Sequence, residues 1–113
     1  MNNSKTSEIK IQVTLDDNKI PEKLNWTAED GGVAMEESKA IFMSFWDHKK
    51  KESLRIDLWT KDMPLDEMKI FFHQTLSAMA DTFERATGEK AVTGDLRDYC
   101  MHFAEKMKII QQN

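Results

Sequence analysis

Three histidines, one cysteine and several neighbouring carboxylates are the side chains of this 113-residue chain that would first be asked to hold a metal, attack a substrate or move a proton. His48 falls in a polar stretch between two strand-like runs, and His73 and His102 fall in two separate helical patterns. No HxH or HExxH spacing brings any two of them to one metal. His73 follows Phe72 and reads as a partly buried, hydrogen-bonded ring, whereas His102 lies four residues after Asp98, a helical surface pair worth a few tenths of a kcal/mol. Asp81 and Arg85 have the same spacing. Asp66-Glu67 and Glu36-Glu37 are adjacent in sequence, so on a helix their carboxylates diverge by about 100° instead of converging on a substrate. Cys100, beside Tyr99 and near Phe103, reads as a small half-buried core thiol. Asp57 stands beside Arg55 in an apolar run and would be costly to bury without a partner, which points to a solvated or interfacial ion pair. Gly31-Gly32 is not followed by GK[ST], so it makes no phosphate loop. The expectation is a protein with no catalytic residues, no cofactor and no metal.

The bulk properties limit the remaining classes. A chain of this length fits a single domain, 1–113, with enough burial for one core. Apolar residues make up 40% and charged residues 32%, an ordinary globular balance. A net charge of −4 supplies no excess of Lys and Arg to attract nucleic acid. The Lys49-Lys50-Lys51 run is expected to keep a hairpin tip solvated. The N-terminus is polar, and no apolar run approaches the roughly 20 residues that cross a bilayer. A lone cysteine excludes an internal disulfide and fits a reducing compartment, so the expected location is cytoplasmic, with no membrane insertion.

The elements that position these residues follow from periodicity. Residues 1–7 have no apolar pattern and are expected to be a disordered tail. Glu8 to Leu15 alternates strictly, with Ile9, Ile11, Val13 and Leu15 on one face, as a half-buried strand does. After the turn signal Asp16-Asp17-Asn18, a second strand fits residues 20–28, with Leu24, Trp26 and Ala28 on a face, and Pro21 suggests an edge position. Glu29 to Glu37 reads as a loop with a helical turn at Ala34 to Ser38. The aromatic run Lys39 to Asp47 and the alternating run Leu54 to Trp59 make a second hairpin around the polar loop His48 to Ser53.

From Pro64 the period becomes 3.6. Leu65, Met68, Phe72, Leu76, Met79 and Phe83 form an apolar stripe, Asp66 and Glu67 complement the helix dipole, and Gly88 is placed to stop the helix. A second helix is expected from Thr93 or Gly94, with Thr93 as N-cap and Leu96, Tyr99, Phe103, Met107 and Ile110 as its stripe. The expected fold is α+β: a four-stranded antiparallel sheet of two hairpins, followed by an antiparallel two-helix layer packed on one face.

That layering leaves one sheet face uncovered. If Asp47 pairs with Ser53, Ile41, Met43, Phe45 and Trp59 face outward; if the register slips by one, Phe42, Trp46 and Trp59 do. Either register exposes a patch containing Trp59, and large apolar patches mark interfaces. Trp59, Trp46, Phe42, Ile41, Met43 and Phe45 are therefore the candidate protein-binding residues, and the eight methionines would let such a surface adapt to its partner. The competing expectation is that the 29–37 loop or the N-terminal tail folds over the patch.

Three segments, LRIDLWTKDM (Leu54 to Met63), DEMKIFFHQTL (Asp66 to Leu76) and MADTFERATG (Met79 to Gly88), resemble the GldC family of gliding-motility-associated proteins. Weaker similarity lies in SEIKIQVTLD, KAIFMSFWD and FAEKM. The resemblance implies a small accessory protein of bacterial gliding motility, a process tied to the type IX secretion machinery, and it supplies no catalytic residues. Its expected partners are proteins of the gliding and secretion apparatus and further copies of itself, a dimer first. The order of four strands and then a helix pair also looks like the export chaperone SecB, which makes a chaperone or carrier for exported chains the alternative.

Overall fold

The computed structural model describes residues 4–109. Residues 1–3 of the expected tail and Ile110 of the expected helical stripe lie outside the described residues. The chain divides into two compact units, Met1–Met63 and Pro64–Asn113.

The first unit is all β apart from one 3-10 turn. Strand β1 (Lys10–Leu15) pairs antiparallel with β2 (Pro21–Ala28), with Val13 opposite Leu24 and Ile11 opposite Trp26, so the two apolar sets share a face as their alternation predicts. The connecting turn is held by Asp16, whose carboxylate accepts from the backbone N–H of Asn18 at 2.8 Å and of Ile20 at 3.0 Å.

The expected loop after β2 is a correction. A 3-10 turn at Glu29–Gly31 leads into a third strand, β3 (Val33–Ser38), which pairs antiparallel with β2 through Leu24 opposite Ser38 and Trp26 opposite Glu36. VAMEES lacks the alternation that marks a strand; β2 offers it a ladder, and its backbone is extended except at Met35, whose φ is 49°. A register shift between Trp26 and Ala28 interrupts that ladder, and there the N–H of Met35 donates to Thr27 Oγ1 at 3.1 Å. Since β2 lies between β1 and β3, Pro21 does not mark an edge. It occupies the first strand position, where its missing N–H costs the ladder least.

The second hairpin forms as expected, with β4 (Ala40–Asp47) antiparallel to β5 (Glu52–Trp59). It is a two-stranded sheet of its own, beside the three-stranded sheet β1-β2-β3, so the single four-stranded sheet is replaced by five strands in two sheets. One residue, Lys39, separates β3 from β4. Around it the chain is tied closely: the N–H of Thr60 donates to Lys39 O at 2.9 Å, the N–H of Lys61 to Pro21 O at 3.1 Å, and Lys39 Nζ contacts Asp62 Oδ2 at 2.7 Å. Thr60 is 2% exposed and Leu24 is fully buried.

In the second unit α1 (Leu65–Thr87) ends where Gly88 adopts a left-handed φ of 72° and its N–H returns to Glu84 O. Pro64 sits just outside the first turn, as N-cap. Helix α2 (Lys90–Lys106) starts earlier than its sequence suggests. Thr93 is therefore no cap: it is buried one turn in, where its hydroxyl donates to Glu89 O at 2.7 Å. The helices run antiparallel, since Arg97 reaches back to Asp81 at 2.8 Å and Glu84 at 3.1 Å, and His73 stacks on Phe103. Arg97, rather than Arg85, is thus the partner of Asp81. The buried positions are small: Ala80 on α1, and Thr93, Cys100 and Ala104 on α2. The larger stripe residues Phe72, Met79, Leu96 and Tyr99 are exposed, because close approach of two backbones selects side chains without bulk.

Replacing Leu24 by Ala should lower stability in urea denaturation by about 2–5 kcal/mol, the range for truncating a buried leucine. Acid should also loosen the strand unit. The N–H of Ile20 and the Lys61 ammonium hold the Asp16 carboxyl below its ordinary 3.8, and Lys39 and Thr60 do the same for Asp62. A depressed carboxyl favours the folded state above the unfolded value and ceases to do so as pH falls through the folded one. The urea midpoint should therefore drop on acidification below about pH 4, and Asp16→Asn should make that drop smaller.

Candidate functional site

The β4–β5 hairpin carries every residue proposed from sequence as protein-binding. Its tip is built on Asp47, whose carboxylate accepts from the N–H groups of Lys49 at 3.0 Å and Lys50 at 3.1 Å, while Lys51 takes a left-handed φ of 57° to close the turn. The lysine run thus forms the hairpin tip, as its sequence suggests.

The register decides between the two arrangements the sequence allowed. Trp46 lies opposite Ser53 and Asp47 opposite Glu52, which is the slipped alternative. Directly opposed residues share a face. On one face Ile41, Met43 and Phe45 meet Leu58, Ile56 and Leu54. On the other, Ala40 meets Trp59, Phe42 meets Asp57, Ser44 meets Arg55 and Trp46 meets Ser53. The six candidate residues therefore divide equally, with Phe42, Trp46 and Trp59 on the mixed aromatic face and Ile41, Met43 and Phe45 on the aliphatic one.

Ile41, Phe42 and Met43, near the base, are half-buried, whereas Phe45 and Trp46 toward the tip and Leu54, Ile56 and Trp59 on β5 are exposed. Trp46 is 63% and Trp59 53% accessible. The 29–37 segment is largely committed to β3, and on the N-terminal side Ser7 hydrogen-bonds Asp30.

Between the tryptophans sits a charge pair. Arg55 grips Asp57 with two nitrogens, Nη2 to Oδ1 at 2.7 Å and Nε to Oδ2 at 3.2 Å, and its third arm donates to Ser44 Oγ at 2.8 Å. The carboxylate raises the guanidinium pKa further above its already high value. Both side chains are well exposed in the single chain, so the pair, which the sequence allowed to be solvated or interfacial, is worth little to stability by itself.

The side chains that could do chemistry remain apart. His48 lies in the β4–β5 turn, His73 on α1 stacked 6.2 Å from Phe103, and His102 on α2 tilted 5.9 Å from Tyr99. Cys100 is buried against the helix pair. Among the described residues no three His, Cys, Asp or Glu side chains group to hold a metal, and no helix is long and apolar enough to cross a membrane. A polar hollow of about 110 Å³ lined by Thr6, Ser7, Glu8, Lys10, Thr27, Glu29 and Asp30 went unforeseen, because its lining comes from segments distant in sequence. It is well below the several hundred cubic ångströms of ordinary ligand pockets.

No curated protein and no solved structure matches the chain. A family model does, that of the gliding motility-associated GldC-like proteins, over residues 21–109. The match starts at the first residue of β2 and continues past the end of α2, taking in the aromatic hairpin and both helices. By that extent the chain belongs to the GldC-like family of gliding motility-associated proteins.

Proposed function

We propose that this protein is a non-catalytic cytoplasmic accessory of bacterial gliding motility that works by binding protein, at the gliding apparatus and the type IX secretion machinery. The observation that carries the proposal is the exposure of the β4–β5 hairpin on both faces, from Phe45 and Trp46 to Leu54, Ile56 and Trp59. Aromatic and aliphatic side chains presented together on a strand pair cost solubility unless a partner covers them. Tryptophan is also among the residues most enriched where binding energy concentrates. Trp46 and Trp59 flank Arg55 and Asp57, so the aromatic face offers both an anchor and a polar contact that fixes orientation.

The alternative, a chaperone or carrier of exported chains, drew on the likeness of strand and helix order to SecB. The fifth strand loosens that likeness. The two readings predict different clients: a specific partner for an accessory protein, any unfolded chain for a chaperone.

Trp59→Glu leaves the backbone pairing of β5 intact and places a charge in the exposed face. Affinity capture from a gliding bacterium with wild type and this variant should lose a defined gliding or secretion component, with a loss of affinity of at least tenfold, about 1.4 kcal/mol. Unchanged capture would exclude the face, and equal binding of unrelated unfolded chains by both forms would favour the carrier.

A further inference from the structure

The outer edge of β5 has the pattern of a strand that pairs with itself. In an antiparallel ladder, hydrogen-bonded pairs alternate along the strands. The N–H of Thr60 bonds Lys39 O, so Leu58, Ile56 and Leu54 bond inward to β4. Ser53, Arg55, Asp57 and Trp59 consequently turn their backbone N–H and C=O groups outward. Among the described residues no further strand pairs with them, since β5 ends its sheet; only beyond Trp59 is this edge met, where the Lys61 N–H donates to Pro21 O. A two-stranded hairpin with such an edge is marginal alone and gains by adding strands.

The side chains along that edge decide what can be added. Leu54-Arg55-Ile56-Asp57-Leu58 reads the same in both directions for size and polarity and opposite for charge. We propose that two copies of this protein join by antiparallel pairing of β5 with β5 about a twofold axis at Ile56, giving a sheet of order β4-β5-β5-β4. Arg55 of each copy then lies opposite Asp57 of the other, exchanging both backbone bonds, with Ser53 opposite Trp59 outside them. Leu54 meets Leu58 and Ile56 meets its equivalent. Each copy already holds Arg55 against Asp57 at 2.7 Å, so the four charges close a square of alternating sign.

Other registers fail. A slip by one residue sets outward-facing backbone groups against inward-facing ones. A slip by two puts Arg55 against Arg55 or Asp57 against Asp57, a like-charge contact that destabilises a strand pair. The other edges are less suited: β3 carries Glu36 next to Glu37, and β4 is half-buried over its first half. Charges on an edge strand ordinarily keep copies apart. Opposite charges placed symmetrically about an aliphatic centre select one antiparallel partner, the same strand. The pairing also makes the aliphatic faces of both hairpins continuous, and it needs no gliding partner, so it stands or falls separately from the accessory role.

Sedimentation equilibrium of the purified full chain should give twice the 13.2 kDa chain mass at micromolar concentration. Arg55→Asp and Asp57→Arg should each be monomeric, since each sets like charges face to face, with at least a hundredfold weaker association. An equimolar mixture of the two variants should restore the dimer as a heterodimer, because every cross-strand pair is again of opposite sign. Hydrogen exchange of wild type should show the Arg55 and Asp57 amides protected at high concentration and unprotected on dilution. A monomeric wild type, single variants that dimerise like wild type, a mixture that stays monomeric while both variants are folded, or concentration-independent exchange at those two amides would each overturn the proposal. Should a variant fail to fold, the exchange measurement on wild type decides alone.

Discussion

The hydrogen bonds around Lys39 govern the strand unit, because one residue must turn the chain out of one sheet and into another. Thr60 on the strand leaving the hairpin bonds the carbonyl of Lys39, and the next residue, Lys61, bonds that of Pro21. Ion pairs from Lys39 to Asp62 and from Lys61 to Asp16 lie over the same junction. Exposed pairs of this kind add little individually. Here they converge beside Thr60 and Leu24, which are buried. The hairpin's exposed aromatics depend on that arrangement for their presentation.

Both units bury small or solitary side chains and leave larger ones outside. In the helix pair Ala80, Thr93, Cys100 and Ala104 occupy the contact, while Tyr99 and Met79 are both 56% exposed. In the strand unit Leu24 is enclosed and the tryptophans of the hairpin are not. A protein selected only for its own stability would place its large apolar groups inside, where each yields a few kcal/mol.

Much of this was legible in the sequence. Strict alternation identified β1, β2 and β5, and the 3.6 period identified α1 together with its stop at Gly88. Strand β3 was not legible, because Val33 to Ser38 has no alternation and its conformation is imposed by β2. The division into two sheets was equally hidden: one residue at Lys39 looks like a strand boundary in either arrangement. Thr93 has the chemistry of a cap and was misplaced by a turn, since a threonine hydroxyl satisfies an N–H at a helix start or a carbonyl four residues back equally well. Of the site, residue identities were legible but their grouping was not, since a slip of one residue exchanges the faces of β4 and the sequence allowed both registers.

The joint at Lys39 also sets which way the hairpin faces. Successive side chains alternate across a strand, so the number of residues between β3 and β4 has a parity. With one residue there, Phe42 and Trp46 point one way and Ile41, Met43 and Phe45 the other. Adding a single residue would leave the composition of the hairpin unchanged and turn its aromatic side over relative to the three-stranded sheet. Length at this point is therefore as specific as sequence for which side of the hairpin its aromatic residues occupy.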